Sequence, residues 1–365
     1  MAFLFVPIAP STHSDDDDDR LFRAAERRHF ALFGNMKKLP PTARNFLIKM
    51  IERQRDDDEN SDHASVENVT SAEDAAVADA PETPAAASAT LQTYSSWKVL
   101  LDMNFCRRRL SKRRISITLM SRLTKSDNDI ADEIDGQFRI VFTDELIGVV
   151  RGFLSAYFEG SATEIIASLD NVESWAGVRP RVSAATGRRQ LLAGGILRKL
   201  RRFRPKKSSC LVGLIDVDLY PDDESESVAG ESSFEKACAV VSVTSIERSV
   251  RRQEVESGDR AEMIGNAVFI LLRVLTHEIC HLYGIEHCVS FQCSMNESNS
   301  IKQAVAQPFL LCPVCLRKIL KIFRFDVAGR YRKLQDIVAD ITGRYPSRYW
   351  ESIQRSLTKN LQLLE

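Results

Sequence analysis

The 365-residue sequence carries no formal net charge, no apolar run approaching the roughly 20 residues that span a bilayer, no cysteine before Cys106 and no internal repeat. Fifty Lys and Arg balance fifty Asp and Glu, so nothing draws the molecule as a whole towards nucleic acid. The shortness of the apolar runs argues against an integral membrane protein. The apolar opening, residues 1–10, lacks a basic flank, contains Pro7 and Pro10, and runs into five aspartates at 15–19. It therefore reads poorly as a signal peptide, and a cytoplasmic or nuclear location is expected. Hydrophobic residues make up 44% of the chain, enough for an ordinary core, which excludes disorder over the full length.

The neutral total hides segregated charge. Residues 55–92 are acidic and rich in Ala, Ser and Thr, without the periodic apolar residues needed to pack, and read as a flexible linker. Residues 188–207 hold nine basic side chains and no acidic one. Residues 1–54 read as a helical N-terminal extension with helices at 20–32 and 42–54. The main domain spans residues 94–325, followed by a C-terminal helical extension at 326–365.

Within the main domain, residues 115–119 alternate like a strand with Ile115, Ile117 and Leu119 on one face. A helix is expected over 143–158, with Thr143 as N-cap and Gly160 as its stop. Residues 164–169 suit a strand and 187–203 a helix. Residues 210–217 read as a buried strand running into a turn at 218–221, and 237–243 as a further strand. Steps of three and four between apolar residues make 261–283 a long helix, ended by Gly284. The remaining helices break around Gly329 and Pro346. Strands alternating with helices give an α/β domain.

Three of the six histidines and five of the eight cysteines fall between His277 and Cys315. Such clustering points to metal before disulfides, because a chain of this length needs no cross-links to supplement its core. In Thr276-His277-Glu278-Ile279-Cys280-His281-Leu282-Tyr283-Gly284-Ile285-Glu286-His287, two histidines four apart share one helix face and can hold one zinc. Glu278 sits beside the first of them, where a carboxylate can act without occupying a ligand position. Gly284 allows a sharp turn that brings His287 back as a third ligand. Three protein ligands leave a position open, as catalytic zinc requires. Cys288, Cys293, Cys312 and Cys315 form a second set with the spacing of a four-thiolate structural zinc; two disulfides or free core thiols are the alternatives. Because Cys288 follows His287, this second zinc would also brace the catalytic loop.

The string His277-Glu278-x-x-His281-x-x-Gly284-x-x-His287 resembles the metzincin signature of zinc peptidases. The appended Cys288-x4-Cys293-x-Met295 and Cys312-x-x-Cys315 narrow the resemblance to the archaemetzincins, over about residues 94–325. It implies a twisted, mainly parallel sheet with packed helices, one catalytic and one structural zinc, and Met295 as the methionine of a turn beneath the ligands. The strand at 237–243 would then lie along the cleft and pair with substrate backbone. Glu278 would take a proton from the attacking water and pass it to the leaving amine. The expected activity is zinc-dependent hydrolysis of short peptides by a monomer; the rival reading is a non-catalytic zinc scaffold with an occluded site. A cysteine switch from the N-terminal region is not expected, since no cysteine precedes Cys106. Cys280 reads as a packing thiol or a redox-sensitive one, and Asp216 and Asp218 as organisers of a turn. The basic strings at 107–114 and 198–207 lack the interleaved aromatics of a stacking platform, so they read as solvated faces rather than a nucleic-acid site.

Overall fold

The computed structural model describes residues 32–64, 91–120, 139–225, 227–253 and 260–364. All but the last residue of the helix expected at 20–32, and most of the linker, lie outside them. Among the described residues five strands form the main sheet: β1 (Arg114–Met120), β2 (Ala162–Ile165), β5 (Cys210–Ile215), β7 (Gly230–Ser233) and β8 (Cys238–Ser242), in the order β2-β1-β5-β8-β7. Every neighbouring pair is parallel except β7 with β8. A three-stranded sheet of β3 (Pro180–Val182), β4 (Arg189–Leu192) and β6 (Asp218–Tyr220) adjoins it. The mixed α/β architecture with a mainly parallel sheet agrees with the expectation.

The central strands β5 and β8 are buried along their whole length, as parallel strands covered on both faces should be. The strand expected at 115–119 is β1, and both of its faces are covered. Ser116 and Thr118 are buried too, donating hydrogen bonds of 2.8 Å to Glu164 Oε1 and to the Ala167 carbonyl. Their hydroxyls satisfy interior acceptors instead of facing water.

Four further expectations need correction. Residues 187–203 are not one helix: β4 comes first, and only Ala193–Leu200 is helical. Residues 218–220 are a strand and not a turn, because they pair in parallel with β4, a partner distant in sequence. The strand expected along the cleft, β8, lies inside the sheet between β5 and β7, so its backbone groups are already used. The edge strand is β7, whose Gly-Glu-Ser-Ser sequence has little β-propensity. In the C-terminal part the break falls at Arg324, which adopts a left-handed conformation, and Gly329 lies in the first turn of the helix Val327–Arg344.

The helix Pro41–Ala64 continues past its expected end at 54, and its Phe46, Leu47, Met50 and Ile51 join the main core. The long helix, here αL (Arg260–Leu282), is buried along nearly all of its length from Gly265 onward. Among the described residues it alone is long and apolar enough to cross a membrane, but most of it is packed inside the fold. It lies against β7 and β8 on one side and the C-terminal helix Arg348–Gln362 on the other.

Candidate active site

His277 and His281 occupy the last turns of αL, and the chain then reverses at Gly284, whose φ of +76° belongs to the left-handed region. The reversal returns His287 to the other two. The ligand-capable nitrogens of the three histidines lie within 4.8 Å of one another. His277 Nδ1 is 2.9 Å from the Ser294 carbonyl and His281 Nδ1 is 2.7 Å from the Ile285 carbonyl. A carbonyl only accepts, so each Nδ1 carries the proton and each Nε2 presents a lone pair. Those two Nε2 atoms are 3.0 Å apart, close to the roughly 3.3 Å edge of a tetrahedron with metal–nitrogen distances of about 2.0–2.1 Å. Burial lowers the pKa of all three imidazoles, most strongly His277, so the neutral, ligating form prevails.

Glu278 is almost wholly buried on the next helix position, and desolvation pushes its carboxyl up to about 7. It lies against the edge strand. A Cβ built on Gly230 would sit 3.0 Å from both Cγ and Oε1 of Glu278, and Ser232 hydrogen-bonds its carboxyl. Glycine at 230 is therefore what lets the strand approach the carboxylate. Gly230→Ala is expected to displace Glu278 while leaving the three histidines in place; a crystal structure of the variant with Glu278 unmoved would show that the approach is unimportant.

The three histidines and Glu278 line an open cleft of about 1490 Å³, walled by residues 227–232 on one side and by 298–305 on the other. Arg273, one turn before His277, is 2% exposed and donates to the Ala304 and Pro308 carbonyls and to Gln307 Oε1. It ties the far wall to αL.

Beyond His287 the sulfurs of Cys288, Cys293, Cys312 and Cys315 also lie within 4.8 Å of one another, and no disulfide joins any of the eight cysteines. The 3.7 Å between Cys288 and Cys312 sulfurs matches the roughly 3.8 Å edge of a tetrahedron with metal–sulfur distances of about 2.3 Å. Burial raises the Cys312 thiol well above its usual range, and hydrogen bonding with Cys288 does the same to Cys315. Four crowded, buried thiols need a cation to lose their protons together, so the donor set fits a metal. Asn296 organises the loop: it accepts from the Cys293 N–H and donates to the Cys288 and Phe291 carbonyls.

Met295 is fully buried, and its carbonyl accepts from the Cys288 N–H at 2.7 Å. Cys280 is also fully buried, with its thiol pushed far up by desolvation, which fits packing. Asp218 is buried and holds Ser245 and Arg248, tying β6 to the helix that follows β8. The basic string at 107–114 is not a uniformly solvated face, because Arg109 is buried. Gly230, Ser232, Ser294 and Asn296 escaped the sequence reading; their roles rest on backbone groups or on contacts distant in sequence.

Residues 262–321 match the model of peptidase family M54. The chain is 30% identical over 229 residues to archaemetzincin-2 of Pongo abelii and 29% identical over 229 residues to archaemetzincin-2 of Homo sapiens, covering 58% of this chain and 63% of each relative. Archaemetzincin-1 of Homo sapiens is 27% identical over 212 residues, covering 53% of this chain and 42% of the relative. The chain thus spans less than two thirds of the length of these curated relatives. Among solved structures, the archaemetzincin of Methanopyrus kandleri matches 58% of this chain and 97% of its own, with 19% identity and a TM-score of 0.41. That of Archaeoglobus fulgidus, complexed with malonate, matches 56% and 99%, with 21% identity and a TM-score of 0.36. The family matches bear out the archaemetzincin likeness of the His and Cys motif.

Proposed function

We propose that this chain, which belongs to the archaemetzincin family, is a zinc-dependent metallopeptidase whose catalytic group is Glu278. The observation that carries the reading is the convergence of three neutral imidazoles beside a buried carboxylate, all opening on one cleft. His277, His281 and His287 would hold the catalytic zinc, and Cys288, Cys293, Cys312 and Cys315 a structural one. Zinc supplies Lewis acidity towards a peptide carbonyl and makes a water molecule acidic enough to react near neutral pH.

The chain's own groups do the rest. Ser294 and Ile285 carbonyls hold the imidazole Nδ1 protons and fix the rings. Glu278 accepts the proton of the attacking water and returns it to the leaving amine. The edge strand β7, which among the described residues pairs only with β8, offers its outer side to an extended substrate, a role assigned from sequence to β8. Peptides short enough to thread this cleft are the preferred substrates, and the protein acts as a monomer.

An open cleft over Glu278 favours this reading over a scaffold with an occluded site. Incubating a peptide library with the zinc-loaded chain tests it. Cleavage that a chelator abolishes and added zinc restores is expected; intact peptides with both metal sites filled would favour the scaffold.

A further inference from the structure

The chain between the second and third histidines, residues 282–286, leaves the helix and cannot satisfy its own backbone. The N–H groups of Tyr283, Gly284 and Ile285 return to the carbonyls of Cys280 and His281. The carbonyls of Leu282, Tyr283 and Gly284 are the orphans expected at a helix end. Each accepts a side-chain donor from one short upstream stretch. Arg109 reaches the Leu282 carbonyl at 3.2 Å, Trp97 Nε1 the Tyr283 carbonyl at 3.1 Å, and Gln92 Nε2 the Gly284 carbonyl at 2.9 Å. The next carbonyl, that of Ile285, is the one that holds His281.

Gln92 does more. Its Oε1 accepts from the Glu286 N–H at 3.1 Å, directly before His287, and from Lys318 Nζ at 2.8 Å. Lys318 is 2% exposed, lies on the helix Pro313–Phe323 three residues after Cys315, and also donates to the Gln92 carbonyl at 2.9 Å. Gln92 therefore joins the loop that carries His287 to the helix that carries Cys315. Arg109 makes a corresponding link to the cleft wall. It donates to the Phe234 carbonyl at 2.7 Å and stacks 4.4 Å from the Phe234 ring, immediately after β7.

We infer that Gln92, Trp97 and Arg109 form a three-point clamp that sets the position of the His281–His287 turn, making them positioning residues for the histidine metal site. The inference rests on the proposed zinc site but does not depend on its turning over peptides. The physical reason is that a five-residue turn between two ligands has little stiffness of its own. A ligand held by such a turn keeps its place only if the backbone around it is fixed from outside, and losing that support commonly weakens a metal site 10- to 100-fold.

Trp97 is too deeply buried to be altered cleanly, so the half-buried Gln92 and the pair Arg109→Lys and Arg109→Met carry the test. Gln92→Met keeps length and removes every side-chain hydrogen bond. Zinc release to a chelator is followed for each variant of the full chain, and cobalt replacement separates the two sites, because thiolates give a charge-transfer band that imidazoles lack. Gln92→Met is expected to release the histidine-held metal at least tenfold faster with the thiolate-held metal unchanged, and to lower kcat more than it alters KM. Arg109→Lys should release it more slowly than Arg109→Met. Release within twofold of wild type, or equal acceleration at both sites, would overturn the clamp. A wild-type chain binding only the thiolate-held metal would refute the site on which it rests. Altered release in a chain that cleaves no peptide would leave the clamp standing and refute the peptidase reading.

Discussion

Glu278→Gln is expected to keep both metal sites filled and to lose hydrolysis by about 10²- to 10⁴-fold, the usual contribution of a positioned proton acceptor. The amide matches the carboxylate in shape, so it fills the space against Gly230 without disturbing the histidines. It cannot accept the proton of the attacking water. Metal analysis beside a turnover assay checks the prediction, and unchanged turnover would remove Glu278 from the mechanism. The same variant has a pH signature in the metal-free protein. Glu278 is raised from 4.5 to about 7 in the folded state by burial, so the folded protein holds its proton where the unfolded chain has lost it. Stability from this group is complete below about pH 4.5 and falls as pH rises towards 7. Above that, the buried charge costs on the order of 3 kcal/mol, the free-energy equivalent of the shift. Metal-free Glu278→Gln should therefore exceed the wild type in stability at pH 8 and match it at pH 4, by denaturant unfolding.

Cys293→Ser is expected to remove one zinc and most of the stability of residues 288–315 together. A structural zinc in a small module contributes about 10–16 kcal/mol of folding free energy, and part of that is at stake here. Cys293 is fully buried, its sulfur accepts from the Cys312 N–H at 3.3 Å, and its own N–H is held by Asn296. Because Cys288 follows His287 without a spacer, loosening the sulfur site also loosens the third histidine. A fall in the thermal transition of ten degrees or more with a loss of peptidase activity is expected. Loss of one zinc with no destabilisation would contradict the structural role.

The candidate ligands were legible in the sequence because most of their spacing is local. A helix places His277 and His281 on one face, and Cys312-x-x-Cys315 closes on itself at a helix N-terminus. Elements held by partners distant in sequence were harder to read. Strand β6 looked like a turn because what makes it a strand is its pairing with β4. The edge strand β7 carries glycine and serines where a strand usually carries branched residues, since Gly230 makes room for Glu278 and Ser232 bonds its carboxyl. Gln92 sits at the end of an acidic, Ala-rich stretch and gives no local sign that its amide spans the segments of His287 and Cys315. Arg109 lies in a basic string, and nothing in that string separates one buried guanidinium from its solvated neighbours.

If the three histidines hold a zinc on which Glu278 acts, binding and cleavage must appear together when zinc is titrated into metal-free protein, for the wild type and for His287→Ala. The wild type should bind two equivalents and gain activity with the equivalent that His287→Ala fails to bind. Activity in His287→Ala equal to wild type, or two bound equivalents in the wild type without cleavage of any peptide, would contradict it.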